Sequence, residues 1–334
     1  MDWNKGYTAS YFVRRLDPRT WRELERYEIT GGSVARTQTD LRQSADLDFH
    51  GKFSLSDKWI RVSMAVRQGH SSQTIPLFTG IVSTSGRDIN GTMVDHEAEA
   101  YSVLYPVDKS LLPLGWYAGN GANGALLVKS LLSVTPAPVV IHGTSPSLAQ
   151  AIVAEQDETR LTMADKVLTA IGWRLYIDGE GTIHLAPKAT EPSAYFSAMG
   201  RDVIEPKISE DFDWFEIPNV FRAISDDMTA TARDDAVGSP LSTVNRGMEI
   251  WEQETSCDLN SGESIAEYAL RRLKELQQFS RSYSYDRRFD PNVNVSDLVN
   301  LNYPVQGITG NYMVRKQTIK LDKGGKTSEE VVEV

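Results

Sequence analysis

Gly119-Asn120-Gly121-Ala122-Asn123-Gly124 has the spacing of a dinucleotide loop. In such a loop a tight glycine turn and a helix N-terminus present backbone N–H groups to a pyrophosphate. The flanking residues do not suit that chemistry. Leu111 to Tyr117, where a buried strand would precede the loop, contains Pro113 and Gly115; the strand after the helix, Val139-Val140-Ile141, ends in His142 where an acidic residue would meet the ribose. We read a glycine-rich loop that leads into a helix. Asp211, Asp213 and Glu216 lie close together, as do Glu155, Asp157 and Glu158, and glycoside hydrolysis needs two opposed carboxylates. With 45 acidic residues in the chain, such clusters arise by chance, and a solvated acidic loop is the favoured reading. Trp214 and Phe215 beside the first cluster could stack on a sugar, but such aromatics more often anchor a loop.

The five histidines, at positions 50, 70, 96, 142 and 184, show no metal-ligand spacing. In a strand, Asp95, His96 and Glu97 alternate between faces and cannot converge on one ion. Cys257 stands alone, which excludes an internal disulfide, a cysteine-based zinc site and an iron–sulfur cluster. No G-x-S-x-G elbow occurs, and Cys257 has no evident histidine partner, so nucleophilic catalysis has no residues to carry it. Neither an enzyme nor a cofactor is expected. Arg271, Arg272 and Lys274 form a basic cluster on a helix, read as a solvated face or as the contact with an acidic neighbouring subunit.

That helix is the clearest element of the chain. Ser264 and Glu267 have the spacing of a capping box, and Ile265, Ala269, Leu273, Leu276 and Phe279 fall on one stripe, predicting a helix over 264–279. Around it the pattern is mostly that of strands. In 59–66, Ile60, Val62, Met64 and Val66 make the better core face, and strands are expected at 77–82 and 93–103 around a turn from Gly86 to Gly91. The middle reads differently: a helix over 122–134, a second opened by Thr162-Met163-Ala164-Asp165, and a hairpin around Asp178-Gly179-Glu180-Gly181. Further strands are expected at 220–224 and 228–233 around Asp226-Asp227, and at 283–289, 298–303, 312–321 and 328–334. The expected fold class is α+β, mostly β, divided into a β-rich block over 1–105, an α+β insert over 106–204 and a second β-rich block over 205–334 that carries the long helix.

At 334 residues and 40% hydrophobic content, the chain can bury several cores. A net charge of −10 argues against gripping nucleic acid through its phosphates, and suits a surface that lets DNA slide past. The N-terminal residues lack a signal-peptide pattern, and no apolar run approaches a membrane span, so no stable membrane association is expected.

The order of these segments resembles the baseplate or tail-tip hub proteins of tailed bacteriophages and contractile injection systems, the late-control-D type. Three passages carry the resemblance. They are Thr37-Gln38-Thr39-Asp40-Leu41 through Ser44 to Phe49; Ala164 to Leu168 with Ile183-His184-Leu185; and Pro218-Asn219-Val220-Phe221, the long helix, Val295 to Val299 and Gly310 to Val314. The resemblance implies a homotrimeric ring with two tube-like β-barrel domains per subunit, each with a packed helix, and an α+β insert. Such a ring lies between the sixfold tail tube and a central spike or fibre. It meets the distal tail or tail tube protein and the tape-measure protein, and DNA passes without specific binding. The implied location is the tail tip or baseplate of a virion, after synthesis in the host bacterial cytoplasm. Asp226, Asp227, Asp234 and Asp235 are the expected channel-lining residues of an acidic lumen. The alternatives are a distal tail ring protein, or a tail-associated cell-wall hydrolase or sugar-binding module on the last block using Asp211 and Asp213.

Overall fold

The computed structural model describes the chain except residues 4, 51–57, 91–92, 198–203, 212–216, 226–227, 256, 258–262, 279–281, 324 and 334, and except the side chains at 50, 84–85, 87–90, 93–95, 204–206, 211 and 278. Alternating residues in the first third give β1 (Thr8–Leu16), β2 (Glu23–Glu28), β3 (Gly31–Thr37), β4 (Gln43–His50), β5 (Trp59–Gln68), β6 (Ser71–Asn90) and β7 (Met93–Ser102). Ile60, Val62, Met64 and Val66 are all buried, as period-two burial requires. β6 runs past Gly86, where a turn was expected, because that glycine keeps the ladder and pairs with Glu97 of β7.

The middle of the chain folds into α1 (Tyr105–Asp108), β8 (Tyr117–Ala118), α2 (Gly124–Leu131), β9 (Val139–Ile141), β10 (Ile152–Val153), α3 (Arg160–Ala170), β11 (Trp173–Ile177) and β12 (Ile183–Pro187). α2 starts at its cap Asn123, whose side chain accepts from the Leu126 N–H at 3.0 Å. α3 starts earlier than the Thr162–Asp165 pattern suggests. Thr159 caps it, accepting from the Thr162 N–H at 3.1 Å, while the Asp165 carboxylate takes a two-pronged bond from Arg42 at 2.6 and 3.0 Å. A carboxylate held by a guanidinium on another element does not reach back to cap its own helix.

The last third supplies β13 (Pro192–Ser197), β14 (Ile204–Asp211), β15 (Val220–Ser225), β16 (Met228–Arg233), α4 (Thr243–Arg246), β17 (Trp251–Thr255), α5 (Ile265–Gln278), β18 (Ser282–Arg288), β19 (Leu298–Tyr303), β20 (Ile308–Lys320) and β21 (Lys326–Glu333). The fold is α+β and mostly β, as expected. Among the described residues the strands form four sheets. The largest has thirteen strands in the order β14-β18-β21-β20-β3-β4-β7-β6-β5-β1-β2, with β19 joined to β20 and β13 to β19. Its centre is a seam between the two ends of the chain, Lys316 to Lys320 of β20 lying antiparallel to Thr37 to Ser33 of β3. β13 falls in the 106–204 span read as an insert, yet runs parallel to β19. β15, β16 and β17 form a sheet of their own, with α5 packed against it. Strand alternation in sequence tells which residues point inward but not which strand lies alongside. The pairing across the seam was therefore not readable.

Candidate functional site

A polar network lies under the seam. Arg287 of β18 and Glu329 of β21 are fully buried and joined by two hydrogen bonds, 2.7 Å from Nε and 2.5 Å from a terminal nitrogen. Gln317 of β20 donates to Glu329 at 2.7 Å and to the Val293 carbonyl at 3.0 Å. Its own oxygen accepts from Arg36 of β3 at 3.0 Å, and Arg36 also donates to Asn294 at 2.9 Å and to the Leu77 carbonyl at 2.6 Å. The two arginines are shifted in opposite directions for a visible reason. Burial drags Arg36 down to about 10, because its hydrogen-bond partners are neutral oxygens. Burial pulls on Arg287 too, but the Glu329 carboxylate overturns it and holds the guanidinium above its ordinary value.

The middle segment is keyed into the same sheet by its hairpin turn. The Gly179 carbonyl accepts from Thr79 at 2.8 Å, and the Glu180 carbonyl from Arg61 at 2.9 Å and Trp21 at 3.1 Å. A Cβ on Gly179 would lie 1.9 Å from the Pro76 oxygen, so only glycine lets the two backbones approach this closely. The Asp178-Gly179-Glu180-Gly181 motif is a hairpin, and in addition a plug. Arg174 of β11 adds a tie at 2.9 Å to Asp297, just before β19.

The long helix occupies the smaller sheet. Its capping box forms as expected: the Ser264 N–H donates to Glu267 at 2.9 Å, and the Glu267 N–H to the Ser264 hydroxyl at 3.3 Å. Ala269 and Leu273 are buried against Phe221, Ala223 and Ala232, with Ile265 and Leu276 partly so. Tyr268, absent from the expected stripe, is also buried, its hydroxyl donating to Glu254 of β17 at 2.7 Å. Phe279 lies outside the described residues. Arg271 is held by Glu263 at 2.8 and 3.0 Å and by Glu275 at 3.0 Å; Arg272 is held by Glu254 at 3.2 Å and Glu275 at 2.7 Å. Burial alone would raise the Glu275 carboxyl, but the bonds from Arg272 and Arg271 leave it below its ordinary range. Of the basic cluster, Lys274 is exposed and in no ion pair among the described residues.

Asp226 and Asp227 lie outside the described residues. Asp234 and Asp235 brace the loop after β16. Asp234 accepts from Ser239 at 2.5 Å and from Gln277 of α5 at 3.3 Å, while Asp235 accepts from Thr243 and, at 3.4 Å, from Arg233. Asp213, Trp214, Phe215 and Glu216 also lie outside, as does the side chain of Asp211. In the glycine-rich loop the amides of Gly121, Ala122 and Gly124 are taken by the carbonyls of Leu148, Gly119 and Pro146, so these donors are not presented to a ligand. The structure does bring two histidines together: His142 lies 2.8 Å from Nδ1 of His184, whose Nε2 is 3.0 Å from Asp178. Both His184 nitrogens are used, which makes a hydrogen-bonded chain rather than a converging ligand set. The pairing of β9 with β12 creates this proximity, and no local spacing signals it. Among the described residues there is no cluster of three or more metal-ligating side chains, and no helix long and apolar enough to cross a membrane.

What remains is a framework whose notable side chains hold its own parts together, and solved structures share that framework over its whole length. The fold is that of phage tail proteins. The tail protein from Neisseria meningitidis MC58 superposes with a TM-score of 0.72 at 15% identity, over 98% of this chain and 97% of that one. The 43 kDa tail protein of prophage MuSo2 from Shewanella oneidensis gives 0.68 at 14% identity, over 97% and 98%. The E. coli c3393 protein, a type VI secretion component with structural similarity to T4 tail proteins gp27 and gp5, gives 0.54 at 8% identity, over 92% and 74%. No protein-family model matches the sequence, and no curated protein matches it.

Proposed function

We propose that this protein is a structural hub of a bacteriophage tail tip or baseplate. It assembles as a homotrimeric ring that joins the sixfold tail tube to a central spike or fibre and lets DNA pass. Its neighbours are the distal tail or tail tube protein, the tape-measure protein and the spike. It has no catalytic task, and its place is the virion. The observation that carries this reading is the whole-length likeness to the Neisseria tail protein, 98% of one chain on 97% of the other at a TM-score of 0.72. The assignment of the buried arginines, the capping residues and the loop aspartates to internal ties supports a mechanical part. On this reading, acidic side chains line the conduit and keep phosphates from adhering. Asp226, Asp227, Asp234 and Asp235 stay the candidates, of which Asp235 is exposed.

The test is a reconstruction of the tail tip by electron cryomicroscopy. Threefold density with one copy of this chain per asymmetric third is expected. Sixfold density would move the protein to the distal tail ring, and a lumen lined chiefly by Lys and Arg would remove the acidic-conduit idea.

A further inference from the structure

The small sheet of β9, β11 and β12 carries a row of rings on the face away from its core. Arg174 and Tyr176 of β11 and His184 of β12 share that face, while Leu175, Ile177, Ile183 and Leu185 are buried on the other. The His184 ring stacks on Tyr176 at 4.8 Å, and His142, just past β9, ends the row with its ring 5.1 Å from that of His184. Arg174 covers the far side of Tyr176 at 5.0 Å.

The hydrogen bonds along this row fix how many protons it can hold. Nε2 of His142 lies 2.8 Å from Nδ1 of His184, and Nε2 of His184 lies 3.0 Å from one Asp178 oxygen. The other Asp178 oxygen accepts from the Thr182 N–H at 2.9 Å, closing the turn that plugs into the large sheet. An ionised carboxylate only accepts, so His184 donates to it from Nε2. Its Nδ1 then either accepts from the His142 N–H or, once protonated, donates to a His142 lone pair. Both arrangements keep the bond. A proton on each ring instead sets two N–H groups and two like charges face to face across 2.8 Å, and no choice of tautomer relieves that. The closed chain therefore holds at most one added proton.

We propose that Asp178, His184 and His142 form a latch that stays closed with up to one added proton and opens when both imidazoles are charged, loosening β9 from β12 and the turn at Asp178 in acid. Histidine ordinarily takes up its proton between about pH 7 and 5. His142 is exposed to water, while His184 keeps 16% of its side-chain surface. The charged neighbours are Arg174, tied to Asp297 at 2.9 Å, Arg36 of β3, which feels the charge of Asp178, and Arg61 of β5, which reaches the Glu180 carbonyl at 2.9 Å. Burial holds the Tyr176 hydroxyl above its ordinary value, so it stays uncharged. Among these residue types only histidine ordinarily changes charge in that range. In acid the open pair binds two protons and the closed pair at most one. The closed form is therefore favoured above the histidine range and loses ground as pH falls, by about tenfold per pH unit for each proton of difference. The latch does not depend on the hub reading or on any number of copies.

The test is hydrogen exchange of the full chain from pH 7.5 to 5, corrected for the intrinsic rate at each pH, with the imidazole 15N shifts followed alongside. The opening constants of the β9 and β12 amides and of the 178–182 turn are expected to rise about ten- to a hundredfold over that span, while the β3–β20 amides keep theirs. His142→Gln should hold the rise to within about threefold, because an amide side chain donates to neutral His184 through its nitrogen and accepts from charged His184 through its oxygen. A wild type that does not loosen in acid, or a His142→Gln variant that loosens as much as the wild type, overturns the proposal. The 15N shifts decide the matter without any variant: the second ring should gain its proton only as protection is lost, and two charged rings in a segment that stays protected would end the latch.

Discussion

The seam of the large sheet and the α5 lobe are both held by arginine–carboxylate pairs, yet they are held in different ways. At the seam Arg287 and Glu329 are shut off from water, and Gln317 and Arg36 extend their bonds from β21 to β3. In the lobe, Arg271, Arg272 and Glu275 keep 33 to 38% of their side-chain surface exposed, and the helix rests on an apolar stripe. A buried pair contributes little net stability, because desolvation cancels most of its attraction, but removing one partner is severe. A half-exposed pair is worth little in either direction. The seam thus penalises any misjoining of the two chain ends, while the lobe depends on hydrophobic burial and tolerates loss of its charges.

Each half of that contrast can be broken separately. Glu329→Leu leaves Arg287 buried without its partner and is expected to cost about 3–5 kcal/mol, read from urea midpoints. Adding Arg287→Met should recover most of that loss, and a double variant as weak as the single would mean that the seam is ordinary packing. Leu273→Ala opens a cavity under α5 and is expected to cost roughly 2–4 kcal/mol. Its signature in hydrogen exchange is loss of protection in α5 with the β3–β20 amides unchanged; coupled loss in both would merge the two regions into one cooperative unit. Ser264→Ala removes the cap and should cost about 1 kcal/mol, with the change confined to the first turn of the helix.

The smallest effect is that of pH. Glu275 is held below its ordinary value, so its contribution is present above the unfolded value of 4.5 and is lost as pH falls through the lower folded one. Because the group is well exposed, the loss should not exceed about 1 kcal/mol, and Glu275→Gln should abolish that part of the stability–pH curve. An acid loss of several times this size in the lobe would show that its charges matter more than its stripe.

Local structure was legible wherever the cause was local. The Ser264–Glu267 box, the period-two burial of Ile60 to Val66 and the Asp178–Gly181 hairpin could all be read from neighbouring residues. Thr162–Asp165 misled, because Arg42, distant in sequence, takes the Asp165 carboxylate. The basic cluster on α5 was visible as composition, but Glu254 and Glu263 turn Arg271 and Arg272 into internal ties. The acidic face of β4 and β7 escaped notice. Asp46 and Asp48 look like the polar half of any half-buried strand until Glu97 and Glu99 are placed opposite them.

By itself the sequence determined the mostly-β α+β class, the long helix opened by the Ser264–Glu267 box, most strand positions and which face of each strand is apolar. These follow from steric and solvation preferences that act within a few residues of the chain. Only the tertiary structure decided that the two ends of the chain share one sheet, that Gly179 plugs the middle segment into it, and that Asp46 and Asp48 stand opposite Glu99 and Glu97 on one face. Strand pairing is chosen by the sum of many long-range contacts, and no short stretch of sequence records its partner.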